Sequence, residues 1–102
     1  MSLFEPASIA VIGASGQPGK VGHDILKNLL TQGYAGKVFP VNPKYPDLLG
    51  AAAYPSVSAI PETPELAIIV TPAPTVTALA EECGAKGVKT LMVISAGFKE
   101  MG

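Results

Sequence analysis

Ile9-Ala10-Val11-Ile12-Gly13-Ala14-Ser15-Gly16-Gln17-Pro18-Gly19-Lys20-Val21-Gly22 is a short apolar run that ends in glycine, passes through a loop of small residues and leads into an amphipathic segment closing at Gly33. It reads as a buried strand, a glycine-rich turn and a helix. That arrangement carries backbone N–H groups and a helix N-terminus to the carboxyl end of the strand, where phosphates bind. Two familiar loops of this kind are matched imperfectly. The phosphate loop of nucleoside triphosphatases needs Gly, four residues, then Gly-Lys-Ser/Thr. Gly19-Lys20 is present, but Ala14 stands at the first glycine and Val21 at the hydroxyl. The dinucleotide fingerprint Gly-x-Gly-x-x-Gly meets Ser15 and Pro18 when counted from Gly13, and Pro18 and Val21 when counted from Gly16. The loop is phosphate-friendly and non-standard; taken alone, it also reads as a structural tight turn.

Outward from this unit, strands and helices alternate. In the first helix Val21, Ile25, Leu26, Leu29 and Leu30 fall on one face at helical spacing, with His23, Asp24, Lys27, Asn28 and Thr31 on the other. Val38-Phe39-Pro40-Val41 is a second strand, expected to be short because proline interrupts a ladder. Ala52-Ala53-Tyr54 is a candidate third strand at the sheet edge, followed by a brief helical turn from Ser56, a candidate cap, to Ile60. Leu66-Ala67-Ile68-Ile69-Val70 is continuously apolar, as a parallel strand covered on both faces should be. A second helix is expected from about Thr75 to Lys86, with Val76, Leu79, Ala80 and Cys83 inward and Glu81, Glu82 and Lys86 outward. Gly87 ends it. Leu91-Met92-Val93-Ile94 is a fifth strand. Right-handed crossovers then predict an α/β, Rossmann-like, doubly wound parallel sheet in the order 3-2-1-4-5, cut short at the C-terminal end. Its carboxyl edge is rimmed by Gly13–Gly22, Asn42–Lys44, Thr71–Pro74 and Ser95–Phe98.

The 102 residues suffice for one small domain, residues 1–102, which reads as the N-terminal portion of a larger multidomain protein. The formal net charge is −1, every basic residue is Lys and no basic cluster forms, which argues against nucleic acid as a partner. The single cysteine, Cys83, excludes an internal disulfide and a cysteine-only zinc site, and its place on an apolar helix face makes it a core residue. No basic-then-apolar leader is present, and no apolar run approaches the ~20 residues that span a bilayer. The expected setting is cytoplasmic, away from membranes.

The end of the second strand decides the ligand class. NAD-binding folds place Asp or Glu there to accept from the ribose hydroxyls. Here the chain reads Val41-Asn42-Pro43-Lys44. A missing carboxylate and an added ammonium favour a ribose that carries a phosphate, as in CoA or NADP, with Lys44 as the contact. An ordinary solvated loop lysine is the plain alternative.

Ile9-Ala10-Val11-Ile12-Gly13-Ala14-Ser15, Pro18-Gly19-Lys20-Val21-Gly22, Val41-Asn42-Pro43-Lys44, Tyr54-Pro55-Ser56-Val57 and Val93-Ile94-Ser95-Ala96-Gly97-Phe98 together resemble the N-terminal CoA-binding domain of the nucleoside-diphosphate-forming (ADP-forming) acyl-CoA synthetases, relatives of the succinyl-CoA synthetase alpha subunit. The resemblance covers nearly the whole chain. It implies a ligase that couples acyl-CoA thioester chemistry to ATP and ADP through an acyl phosphate and a phosphohistidine. The ATP- and magnesium-binding domain and the phosphorylated histidine have no counterpart here, so this chain alone is expected to bind CoA and catalyse nothing. His23, the single histidine, is expected at the surface.

At the matched positions, Gly13, Ala14 and Ser15 leave room for a ligand, and Ser15 can donate to a phosphate oxygen. Gln17, Pro18, Gly19, Lys20 and Val21 lie about the helix N-terminus, where the dipole and an ammonium favour a pyrophosphate. Val41, Asn42, Pro43 and Lys44 are expected at the adenosine end. Thr71, Pro72 and Ala73 are assigned to the pantetheine arm, with Ser95, Ala96 and Gly97 at that arm or its thiol. The remaining domains or subunit of the synthetase are expected partners, and homo-oligomerisation is open. Competing readings are the same domain fused to a protein lysine acetyltransferase, an NADP-binding oxidoreductase or sensor, and a non-binding fragment whose sheet edge docks. Against NADP stand the broken glycine spacing and the absence of Arg, the usual planar partner of a 2′-phosphate.

Overall fold

The structure is a computed structural model that describes residues 7–32, 34–71 and 73–94. Strand β1 (Ser8–Ile12) is buried at every residue and lies at the centre of a four-stranded parallel sheet. Its neighbours are β2 (Lys37–Val41) on one side and β5 (Leu66–Ile69) on the other, with β6 (Thr90–Val93) beyond β5. Helix α1 (Val21–Thr31) packs on one face with Ile9, Val11 and Ile68. Helix α2 (Val76–Lys86) packs on the other with Ala10, Ile12 and Ile69. The continuous apolar runs of β1 and β5 therefore serve two cores at once. In the numbering of the predicted strands the order is 2-1-4-5, so the parallel, Rossmann-like sheet stands as expected.

The third predicted strand is reduced to one bridge, Val41 to Tyr54. The preceding segment folds instead into a small antiparallel hairpin, β3 (Asp47–Leu48) and β4 (Ala51–Ala52). Leu49 and Gly50, both at positive φ, make the tight turn between them, and Pro55 ends the approach to β2. Pro40 fits inside the five-residue β2 because the Pro40 carbonyl accepts from Tyr54 N–H at 2.9 Å, on the side away from β1. A missing N–H on that side costs β1 no bond.

Three local expectations are corrected. His23 is buried at 8% exposure, whereas Leu30 is 38% exposed. The first turn of α1 lies close against the glycine loop, which draws His23 inward with Gly22 and Leu26. Ser56 precedes the short 3-10 turn Val57–Ala59 without a side-chain capping bond. Glu82 and Lys86, expected to be solvated, instead bind the loop below α2. Glu82 Oε2 accepts from Ser58 N and Oγ at 3.1 and 2.7 Å, and Lys86 Nζ donates to Ile60 O. Cys83 is a fully buried core residue of α2, as read from the sequence.

Candidate nucleotide-binding site

The glycine loop is held to the sheet by backbone. Gly13, at φ +94°, donates its N–H to Val41 O at 3.0 Å, and a Cβ here would collide with the Val70 carbonyl. Gly22 makes the second close approach, since a Cβ there would strike Gly13 O. These contacts lock the loop, the start of α1 and the ends of β2 and β5 into one unit. Lys20, the N-terminal cap of α1, is extended and provides no side-chain capping bond. Lys20, Val21 and Gly22 line the first cleft, so the start of α1, with the positive end of the helix dipole, borders it. Ser15 Oγ accepts from Gln17 N at 3.0 Å, which orients the hydroxyl and leaves its own hydrogen free to donate.

Asn42 is the bracket between loops. Its Nδ2 donates to Ala14 O at 2.7 Å, and its Oδ1 accepts from Lys44 N at 2.8 Å. Both ends of the amide are committed to backbone, so Asn42 fixes the glycine loop against the turn that carries Lys44. Neither Lys20 nor Lys44 has a carboxylate partner among the described residues. Two exposed ammonium groups therefore face the cleft region uncompensated.

Two connected clefts lie along the carboxyl edge. The first, about 380 Å³, is lined by the glycine loop through Ser15, Gln17, Lys20 and Val21. The second, about 670 Å³, lies on the α2 side and is walled by Val41, Pro43, Pro55, Val57 and Leu79. Gly13, Asn42, Lys44 and Thr71 line both. The expected residues Gly13, Ser15, Gln17, Lys20, Val21, Val41, Asn42, Pro43, Lys44 and Thr71 are thus gathered at one edge. Ala14 is fully buried beneath the loop in the core under α1, and Pro18 and Gly19 are exposed outside both clefts. Ala73 belongs to a 3-10 turn, Ala73–Thr75, leading into α2. Pro72, Ser95, Ala96 and Gly97 lie outside the described residues.

Residues not anticipated from sequence also line the clefts. Tyr45, directly after Lys44, borders the first cleft and lies with Leu48 over Gly16. Thr75, just before α2, and Ala78 and Glu82 within it line the second, beside Pro74 of the expected Thr71–Pro74 rim. The Tyr45 signal was an aromatic next to Lys44; that of Glu82 was invisible because helical periodicity gave it to solvent. Among the described residues no cluster of His, Cys, Asp and Glu is arranged to hold a metal, and no helix is long and apolar enough to cross a membrane.

Comparison with known proteins gives concordant matches. Residues 7–101 match the family described as the CoA binding domain. The ADP-forming acetate–CoA ligase I of Archaeoglobus fulgidus is 57% identical over 100 residues, which cover 98% of this chain and 14% of the ligase. The alpha subunit of the ADP-forming acetate–CoA ligase I of Pyrococcus furiosus is 49% identical over 105 residues, covering 99% of this chain and 23% of the subunit. Among solved structures, acetyl-coenzyme A synthetase 1 of Ca. Korarchaeum cryptofilum, in complex with phosphate and ADP, superposes with a TM-score of 0.89 at 47% identity, covering 98% of this chain and 22% of that one. The chain thus spans less than a quarter of the length of these relatives.

Proposed function

The chain belongs to the CoA-binding domain family, and from that premise we propose that it holds CoA for an ADP-forming acyl-CoA synthetase of which it is the first domain. The observation that carries this reading is the turn after β2. Where a ribose-reading carboxylate is expected for NAD, Asn42 is tied to backbone at both ends and Lys44, without a carboxylate partner among the described residues, stands at the junction of two clefts. Their volumes, about 380 and 670 Å³, suit a large nucleotide laid along the sheet edge.

Ribose chemistry orders the ligand. The 5′-pyrophosphate goes to the glycine loop, where Ser15, Lys20 and the first turn of α1 supply donors and positive charge. The 3′-phosphate meets Lys44, and the base enters the apolar cleft between Pro43, Pro55 and Leu79. The pantetheine arm leaves the pyrophosphate past Thr71, which lines both clefts. When bound, CoA supplies the thiol that takes the acyl group. The chain's own residues bind and orient that carrier; phosphoryl transfer to and from ADP is assigned to further domains or a partner subunit.

Calorimetric titration with CoA, dephospho-CoA, NAD and NADP tests the reading. We expect CoA to bind and dephospho-CoA to bind about tenfold more weakly, the loss of one charge-assisted contact at an exposed site. Lys44→Ala should abolish that difference. Binding of NADP in preference to CoA would replace the proposal with a nicotinamide-dependent one.

A further inference from the structure

The second cleft contains a polar feature that the CoA reading leaves unused. Its walls are mostly proline and aliphatic residues, yet the α2 side contributes the carboxylate of Glu82. That carboxylate is anchored. Oε2 accepts two hydrogen bonds from Ser58, one from the backbone N–H and one from the hydroxyl, which fix the side chain against the 3-10 turn Val57–Ala59. Oε1 accepts no hydrogen bond among the described residues, and no lysine pairs with Glu82 there; Lys86, one turn on, is spent on Ile60 O. A half-buried acceptor held rigid at the rim of an apolar slot is an arrangement that favours a donor arriving with the ligand.

We propose that Glu82 is the base-reading residue of this domain: its Oε1 accepts from the exocyclic amine of adenine, with Ser58 as the residue that positions it. The inference rests on the CoA reading, which sends the base into this cleft. It goes beyond it by assigning selectivity for a 6-amino purine over a 6-oxo purine. An adenine amine donates to the carboxylate. A hypoxanthine or guanine O6 presents a lone pair to it instead, leaving two acceptors face to face, and a site built to pair with one group rejects the analogue that lacks it.

The test titrates this chain with two probes that differ only at the base, adenosine 3′,5′-bisphosphate and inosine 3′,5′-bisphosphate, by calorimetry. The wild-type chain should prefer the adenosine probe by about tenfold, a ratio suited to one half-exposed hydrogen bond. Glu82→Gln offers both an acceptor and a donor at the same place, so it should bring the ratio to near unity while adenosine-probe affinity falls less than the ratio does. Ser58→Ala should reduce the ratio by freeing the carboxylate. Thermal melts of both variants, required to stay cooperative, separate loss of selectivity from loss of fold. An unchanged preference in Glu82→Gln, or no preference in the wild type with CoA still bound, overturns the role of Glu82 and leaves the CoA reading standing. Failure of CoA and both probes to bind overturns both.

Discussion

At the scale of single residues, the same side-chain type carries different weight depending on what surrounds it. Asn42 and Lys44 are two positions apart, yet one is committed to backbone and the other has no carboxylate partner among the described residues. Cys83 shows the effect of burial most directly. Burial pushes its thiol above the ordinary value of 9.0, and the neighbouring Glu82 charge adds to the rise. The folded state therefore keeps the proton longer than the unfolded chain. Below pH 9 both states hold it, and the full stabilising contribution is present. As pH rises further the unfolded chain ionises first, and stability falls until the folded thiol also ionises. Urea denaturation between pH 8 and pH 10.5 should show this decline, and Cys83→Ala should flatten it while lowering stability at pH 7 by about 1 kcal/mol through the small cavity left behind.

Among elements, the joint between β1 and α1 sets the geometry of the site. The helix approaches the strand end so closely that neither Gly13 nor Gly22 has space for a Cβ. Gly22→Ala would put a methyl group against the Gly13 carbonyl, and backbone on both sides leaves no flexible side chain to yield. The helix must move off the loop. We expect a loss of about 1–3 kcal/mol, measured as a lower urea midpoint, together with weaker CoA binding, because the displaced helix no longer aims its first turn at the cleft. Helix α2 illustrates the opposite case. Its apolar positions Val76, Leu79, Ala80 and Cys83 pack on the core as periodicity predicts. Its polar positions Glu82 and Lys86 nonetheless find partners on a loop more than twenty residues earlier in the chain. Periodicity separates a covered face from the opposite one, but a neighbouring loop can reach the boundary between them.

For the whole molecule, burial grades across the sheet. β1 is paired on both sides and buried throughout, whereas all four residues of β6 are exposed, with Leu91, Met92 and Val93 at 39%, 48% and 47%. Hydrogen exchange in this chain should be slowest at Ala10 and Val11 and much faster in β6, where opening needs only local separation from β5. Equal protection in the two strands would contradict that gradient.

The primary sequence determined the parallel order of strands, the two helices and the loops that meet at the carboxyl edge, because continuous apolar runs, 3.6-residue periodicity and glycine stops are local signals that each residue carries by itself. The turn Val41-Asn42-Pro43-Lys44 was legible as a loop of that edge, where Asn42 and Lys44 line both clefts. Only the tertiary structure decided the rest. It reduced the third strand to one bridge, buried His23, made Asn42 a bracket and brought Glu82 to the second cleft. Each depends on which distant segment comes to lie beside a residue, and such proximity is fixed by packing of the assembled chain rather than by spacing along it.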